Sequence, residues 1–466
     1  MASVDVVVAG AGLSGLVAAI ELAERGARVE VIARGYAATH WTAGGFDVAA
    51  PDGAETSAEG LEALAARRGH PYVLLVESVP PSLARLRAIL AEEGLSFEGT
   101  LDDLLRPVPT AIGGTRRAAI LPAGQAAALP PWQTDERLVA CGPAGFKDFW
   151  PAAVAASLAR PPVWGRAGKP ARRPAGVDVV SVELPGLANR RNLNALDLAR
   201  FFDEPAWRLE AFGRIAAAVG PLARRGPVRI AFPAVLGIAE HAAVLDDAAR
   251  LLPGPIFEIP LVPPSIPGIR LFRALRAALR RRGGGLMVGE PIVRIDVDGR
   301  LVTRVAASAA VRERRLRTGA LVLATGGIAG GGLVGHADGR LEEPLLGLPV
   351  EAPPADAWLA EDPSDPAGHP LEAAGIRTDR AMRPVDRRGK VVLDNVAVVG
   401  SLLAGQRYLA ERCGDGVAVA SGARAAVTLG EARAVADHDG PATSAASASA
   451  AGAAPGRPRR PTRKTA

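Results

Sequence analysis

Gly10, Gly12 and Gly15 stand in the spacing G-x-G-x-x-G directly after the apolar run 4–9 (VDVVVA). Glycines at these three places do separate jobs. The first permits a tight turn, the second lets the backbone approach a pyrophosphate, and the third lets a helix pack close to a strand. A helix beginning there offers unpaired N–H groups and the positive end of its dipole to phosphate oxygens. Three further clusters have the same character. The segment 39–47 (THWTAGGFD) places Thr42, Gly44 and Gly45 in one loop. Thr325, Gly326 and Gly327 end an apolar run, and Gly400 ends another, shortly before Gly414, Asp415 and Gly416. Small and hydroxyl residues of this kind let backbone N–H groups cradle an anion. Asp415 suits either a hydroxyl of a bound ribityl chain or the N-cap of its own helix.

These residues need a particular frame. Residues 4–9 and 29–32 read as buried strands, and 13–25 (LSGLVAAIELAER) repeats apolar residues at helical spacing, which makes a βαβ unit. The acid that normally closes such a unit and holds ribose hydroxyls is missing. Its place falls on Ala33, followed by Arg34, while Glu30 lies inside the strand. Either the ribose of FAD is held in another way, or the ligand carries no adenosine and is FMN. Arg34 would suit an additional phosphate or simply water.

The later runs 285–298, 300–307, 319–327 and 395–401 read as strands returning to the same sheet, and a helix follows to about residue 429. Helical patterns at 58–68, 81–93, 197–219 and 240–252 fill the middle. The expected fold is therefore α/β, a Rossmann-like FAD/NAD(P)-binding fold with an inserted α+β cap or substrate domain. The discontinuous flavin domain comprises 1–50 and 285–430, the insert 51–284, and a disordered basic tail 431–466. Pockets favour domain interfaces, so the insert is expected to contact substrate.

Composition narrows the functions. The net charge of +6 is concentrated in the tail, where Arg457, Arg459, Arg460, Arg463 and Lys464 supply five positive charges. With three tyrosines and no basic–aromatic repeat, a nucleic-acid partner is not expected. Cys141 and Cys413 are the two cysteines, too few and too far apart for a cysteine-ligated cluster, a zinc site or a disulfide framework. No metal is expected. No apolar run is long enough to span a bilayer, so the expected location is cytoplasmic, with membrane contact only through partners.

The intervening segments resemble the B subunit of anaerobic glycerol-3-phosphate dehydrogenase. The resemblance is carried by Arg34-Gly35 with 40–47, by His70-Pro71-Tyr72, and by 232–237 (FPAVLG). It continues in Phe257-Glu258-Ile259-Pro260 with 263–270 (PPSIPGIR), and in Arg377-Thr378-Asp379 with Arg383-Pro384. It runs from residue 4 to about 430. The resemblance implies a flavoprotein subunit, with FMN as first choice and FAD as alternative. It implies oxidation of glycerol 3-phosphate to dihydroxyacetone phosphate. Electrons would pass toward quinone with a flavoprotein A subunit and an iron–sulfur C subunit, at the inner face of the cell membrane. The arginine- and proline-rich loop 158–174 and the basic tail depart from the family pattern.

Such an oxidation needs a base for the hydroxyl proton while hydride leaves carbon, and fixed cations for the phosphate. Within the matching segments Arg270, Arg377 and Arg383 are the candidate phosphate ligands, since a guanidinium grips phosphate bidentately. His369 and His70 are candidate bases. The reading taken forward is His369, Arg270 and Arg383. His40 occupies the loop where fumarate-reductase-like relatives attach flavin covalently, at a shorter spacing to Gly44-Gly45. Two other functions stay open: an electron-relay flavoprotein that never meets substrate, and a fumarate-reductase-like FAD oxidoreductase on another substrate. An NAD(P)-dependent reductase is disfavoured, because a second complete G-x-G-x-x-G is not present.

Overall fold

The computed structural model describes residues 2–129, 133–159, 174–188, 190, 192–309, 313–363 and 365–438. The chain begins with β1 (Ala2–Ala9), α1 (Leu13–Glu24) and β2 (Val29–Ala33), then α2 (Ser57–Ala65) and α3 (Val79–Glu92). A hairpin follows, β3 (Arg106–Pro109) and β4 (Thr115–Ala118), then β5 (Arg137–Pro143), α4 (Pro151–Leu158) and β6 (Gly176–Val182). Next come α5 (Ala195–Asp203), α6 (Pro205–Ala223), β7 (Val228–Pro233), α7 (His241–Leu251), β8 (Ile256–Ile259) and α8 (Ile266–Arg281). The chain then forms β9 (Gly285–Val288), β10 (Ile292–Asp298), β11 (Leu301–Ser308), β12 (Glu313–Leu323), β13 (Val396–Val398) and α9 (Gly414–His438).

Two sheets organise these elements. The larger runs β9-β2-β1-β12, all parallel, with β13 parallel to the last part of β12 and the antiparallel pair β11-β10 along its first part. The smaller sheet is also parallel, in the order β8-β7-β5-β6. Strands covered on both faces read as near-continuous apolar runs, as Val6–Ala9 does; Val228–Pro233 is buried along its whole length too, with Arg229 paired to Glu136 as its one charged residue. Each sheet has its own core. Leu16, Ile20, Leu275, Leu321 and Val398 belong to the first, and Leu138, Phe202, Phe212, Phe232 and Phe257 to the second.

The α/β class is as expected, and several details differ. The span 285–298 is two strands, not one, because Gly289 takes φ +93° between them. The span 197–219 is two helices, because Pro205 starts a new one. The helix after Gly414 continues to His438, beyond the limit of 430 given to the flavin domain. The rest of the expected tail, and 160–173 of the arginine-rich loop, lie outside the described residues. Residues assigned to the insert also pack with the large sheet. Leu61, Leu86 and Leu90 join its core, as do Leu271, Leu275 and Leu279, which share one face of α8. Among the described residues no helix is long and apolar enough to cross a membrane.

Sequence reasoning did not identify α8, whose start holds the loop 39–44. Ser265 caps it by accepting from Gly268 N at 3.3 Å, while Ser265 N donates to His40 O at 2.9 Å. Gly268 faces the carbonyl oxygen of Thr39 so closely that a Cβ would collide with it. In unfolding measurements Gly268→Ala should destabilise by about 1–3 kcal/mol through overpacking. The exposed Gly213, inside α6 with nothing within 4 Å of its missing Cβ, should behave oppositely. Gly213→Ala should stabilise by about 0.5–1 kcal/mol.

Candidate functional site

The carboxyl ends of β1, β2, β12 and β13 form the place where open parallel sheets bind ligands. Gly10 leaves β1 with φ +115°, a conformation that favours glycine. A Cβ there would collide with Ala324 O, and a Cβ on Gly15 would collide with Gly10 O and stand 3.0 Å from Ala324 Cβ. Both glycines therefore let α1 pack tightly against β1 and β12. Gly12 differs: its missing Cβ has only Ala37 Cβ for company, at 3.7 Å. It is the N-cap of α1, no side chain caps it, and no acid occupies the first turn. The helix end is thus left to an anion.

The other strand ends meet α1 here. Gly326 and Gly400 take φ +83° and +72°. Gly327 N donates to Ser401 Oγ at 3.0 Å, and Gly400 lies against Ser14 Oγ of α1. Gln406 donates through Nε2 to Gly400 O and Leu403 O at 3.0 and 3.1 Å. Its Oε1 and Thr325 Oγ1 are buried without a hydrogen-bond partner. An open glycine at an uncapped helix end and two orphaned polar atoms fit a dinucleotide. The strand itself brings no carboxylate to the end of β2, which is Ala33; Glu290, whose N–H donates to Ala33 O at 3.2 Å, pairs with Arg314. Ala33 O accepts from Gly289 N at 2.9 Å, Arg34 is exposed, and Glu30 lies against Gly285 of β9. Burial raises the Glu30 carboxyl above its usual range.

The loop 42–47 closes one side. Thr42 Oγ1 donates to Thr39 O at 3.2 Å. Gly44 and Gly45, expected to let the backbone approach a flavin, direct their missing Cβ atoms at protein. Gly44 has φ +89° and faces Pro267 Cβ at 2.5 Å, while Gly45 faces Arg116 Nη2 and Ile120 O, both at 2.8 Å. The next residues tie the loop to α9. Asp415 Oδ2 accepts from Asp47 N at 2.9 Å, and Asp415 N donates to Asp47 O at 3.1 Å. Gly416 makes room for Tyr72, whose hydroxyl donates to Val48 O and, at 3.2 Å, to Cys413 O. Gly414 starts the helix with Tyr408 Cβ 3.5 Å from its missing Cβ. Burial, with the Asp47 carboxylate beside it, pushes the Asp415 carboxyl up to about 7.

A polar hub sits just before α9. Glu411 accepts from Arg407 N at 2.7 Å, pairs with Arg67, and lies 3.3 Å from His70 Nε2 and 3.6 Å from Cys413 Sγ. These three side chains are close enough together to suggest a metal site. The tautomer argues against one. Tyr72 N donates to His70 Nδ1 at 3.1 Å, so the neutral ring carries its proton on Nε2 and points it at Glu411. Cys413 Sγ donates to Glu411 and His70 Nε2 lies 3.3 Å from it, so the trio clamps the turn at Arg412, which has φ +45°.

The expected catalytic set does not assemble. Arg270 is buried and saturated: Nε donates to Gly237 O at 2.7 Å, and Nη1 and Nη2 grip Glu258 at 2.6 and 2.8 Å. Its Nη1 also lies 3.3 Å from His241 Nε2, and His241 Nδ1 is 2.7 Å from Leu236 O. Burial, with Arg270 beside it, lowers His241 to about 4. Burial would raise Glu258, but Arg270 holds it below the usual carboxylate range. Arg270 therefore fastens α8 within the smaller core, with each of its three nitrogens already bonded to protein. Arg383 grips Asp379 through Nε and Nη2 at 2.9 and 2.8 Å. Arg377 donates to Asp386 O at 2.7 Å and lies 3.3 Å from Glu351. His369 begins a short helical turn, its Nδ1 accepting from Ala360 N at 3.1 Å. His369, Arg270 and Arg383 share no partner. His40 is stacked on Tyr36, with ring centroids 4.6 Å apart, and its Nε2 is buried without a partner.

Sequence reasoning missed Ser14, Arg116, Gln125, Ser401 and Gln406. Their partners are mostly remote, as with Arg116 and Asp47, 69 positions apart. Gln125 is fully buried; Nε2 donates to Ala43 O at 2.6 Å, and Oε1 has no partner.

Comparison with known proteins gives this geometry a family. A model described as the FAD binding domain matches residues 5–417. The B subunit of the anaerobic glycerol-3-phosphate dehydrogenase of Yersinia pestis bv. Antiqua (strain Antiqua) is 30% identical over 438 residues, covering 90% of this chain and 96% of the relative. The protein of the same name from Yersinia enterocolitica is 32% identical over 437 residues, with the same coverage. A solved structure of 3-ketosteroid-Δ4-(5α)-dehydrogenase from Rhodococcus jostii RHA1 covers 92% of this chain and 97% of its own, at 14% identity and a TM-score of 0.39. The family model concerns FAD, so FMN as first choice is corrected: the flavin supported is FAD.

Asp415 gives a measurable pH dependence. Its carboxyl is raised from 3.8 to about 7 in the fold, so the stability it contributes is full below pH 3.8 and is lost as pH rises through 7. Asp415→Asn keeps an acceptor without the charge. Chemical denaturation from pH 4 to 8 should show the variant gaining on the parent as pH rises, by at least about 1 kcal/mol. A difference that stays flat would remove the buried-carboxyl account.

Proposed function

This chain belongs to the family of FAD binding domains and to that of the anaerobic glycerol-3-phosphate dehydrogenase B subunits, and from that premise we propose that it is an FAD-dependent oxidoreductase subunit that takes glycerol 3-phosphate to dihydroxyacetone phosphate. Electrons pass onward to quinone through a flavoprotein A subunit and an iron–sulfur C subunit, at the inner face of the cell membrane. The observation that carries the flavin reading is the uncapped start of α1 at Gly12, open at the ends of four parallel strands.

In this reading Gly10, Gly12 and Gly15 admit the pyrophosphate to the N–H groups of α1. Thr325, Gly326, Gly327, Gly400 and Gln406 hold the polar middle of the cofactor, and Arg34 lies toward its adenosine end. FAD, when bound, supplies a two-electron acceptor for the hydride of the secondary alcohol. Asp415 and the first turn of α9 are tied to the 42–47 loop through Asp47. The large sheet and its helices form the flavin domain, and the region built on β5–β8 covers the substrate.

One observation favours a second reading, an electron-relay subunit that never meets substrate: His369, Arg270 and Arg383 are held apart by separate partners. The two readings separate on the purified chain loaded with FAD and kept free of oxygen. Glycerol 3-phosphate should bleach the flavin absorbance without other subunits. Bleaching seen only after the partner subunits are added would reject substrate oxidation by this chain.

A further inference from the structure

Arg116 comes from β4 of the hairpin and reaches the loop that carries Gly44, Gly45 and Asp47. Its side chain is 11% exposed, and Nη1 donates to Asp47 Oδ1 at 3.2 Å. Its Nε and Nη2 are buried, with no hydrogen-bond partner among the described residues. These two atoms form one edge of the guanidinium, whose N–H bonds run side by side. That edge is used elsewhere in this molecule to grip an oxyanion. Arg137 holds Asp178 through Nε and Nη2 at 2.7 and 2.9 Å, and Arg229 holds Glu136 at 2.9 and 3.2 Å. Arg314 holds Glu290 in the same way, at 3.0 and 3.3 Å.

A buried donor left unpaired destabilises a fold, and more so when it is charged. Both donors are buried and have no acceptor among the described residues. Gly45 is what allows the guanidinium to lie there, since a Cβ would stand 2.8 Å from Nη2. The neighbouring Gln125 adds a second orphan: it donates to Ala43 O of the same loop while its Oε1 stays unpaired. Two side chains from the segment between β2 and β5 thus converge on the loop, both incompletely bonded. Asp47 holds the far nitrogen of Arg116 and so fixes the direction of the free edge.

We propose that the free edge of Arg116 is an oxyanion fork that closes on the charged group of the substrate, a phosphate monoester if the function proposed above is right. The inference rests on that reading for the identity of the oxyanion only. Phosphate offers the two adjacent oxygens that Nε–H and Nη2–H require. The pyrimidine edge of a flavin presents two adjacent acceptors as well, and the test distinguishes the two sources.

The test uses the full chain loaded with FAD, as parent, Arg116→Gln and Arg116→Lys. Glycerol 3-phosphate, inorganic phosphate and neutral glycerol are titrated calorimetrically, and FAD affinity and flavin absorbance are recorded for each protein. Thermal melts confirm folding, and Arg116→Lys, which keeps the charge but loses the fork, stands in if Arg116→Gln does not fold. The expected result is a loss of glycerol 3-phosphate affinity of about 100-fold in Arg116→Gln and about 10-fold in Arg116→Lys, with glycerol and FAD unaffected. Equal affinity for glycerol 3-phosphate in all three proteins overturns the fork and leaves the proposed function standing. A change in FAD affinity and absorbance without a change in phosphate-ligand affinity assigns the edge to the flavin and overturns the proposal. Arg116-dependent binding of inorganic phosphate with none of glycerol 3-phosphate supports the fork while rejecting the substrate. Binding of neither by the parent overturns the fork.

Discussion

The contact on which the rest depends is the approach of α1 to the ends of β1 and β12. It exists because Gly10, Gly15 and Ala324 leave no side chain in the way. That approach aims the first turn of α1 at a crevice bounded by Thr325–Gly327 and Gly400, and it leaves Gly12 with only Ala37 Cβ near its missing side chain, at 3.7 Å. A larger residue at Gly10 or Gly15 would push the helix off the sheet before any ligand arrived. The uncapped helix end therefore follows from packing, and its use by an anion follows from electrostatics.

Around this fixed point, buried polar hubs hold the pieces that come from far along the chain. The Arg270–Glu258 pair anchors α8, and the start of α8 presses on the 39–44 loop through Pro267 and Gly268. Glu411 gathers His70, Cys413, Arg67 and the backbone of Arg407, and so fixes the turn that starts α9. Breaking one side of a buried pair generally costs about 3–5 kcal/mol. Such residues matter to the site without touching a ligand. Arg270 shows how a residue in a family-specific segment can be engaged in holding the shape of the site.

How much of this was legible in the sequence depended on range. The βαβ unit could be read directly, because Gly10, Gly12, Gly15 and the periodicity around them are local. The absence of an acid at Ala33 was equally local. Helix α8 was not read, since the prolines of 263–270 hide an amphipathic face that appears only in Leu271, Leu275 and Leu279. The smaller parallel sheet was not read, because its strands lie far apart in sequence. Arg116 gave no signal at all. Its meaning comes from Asp47 and Gly45, and from the acceptors it lacks. The segment containing Arg270 was recognised, but burial and saturation by Glu258 cannot be seen in a string of residues.

The most direct measurement is FAD binding by Gly12→Val, followed by quenching of flavin fluorescence on titration of the apoprotein. Gly12 has only one neighbour within 4 Å of its missing Cβ, at 3.7 Å, so the apoprotein should melt as the parent does. If the pyrophosphate lies on the start of α1, the added side chain occupies its place, and affinity should fall by more than about 100-fold. Undiminished FAD affinity in a normally folded Gly12→Val protein would contradict the account.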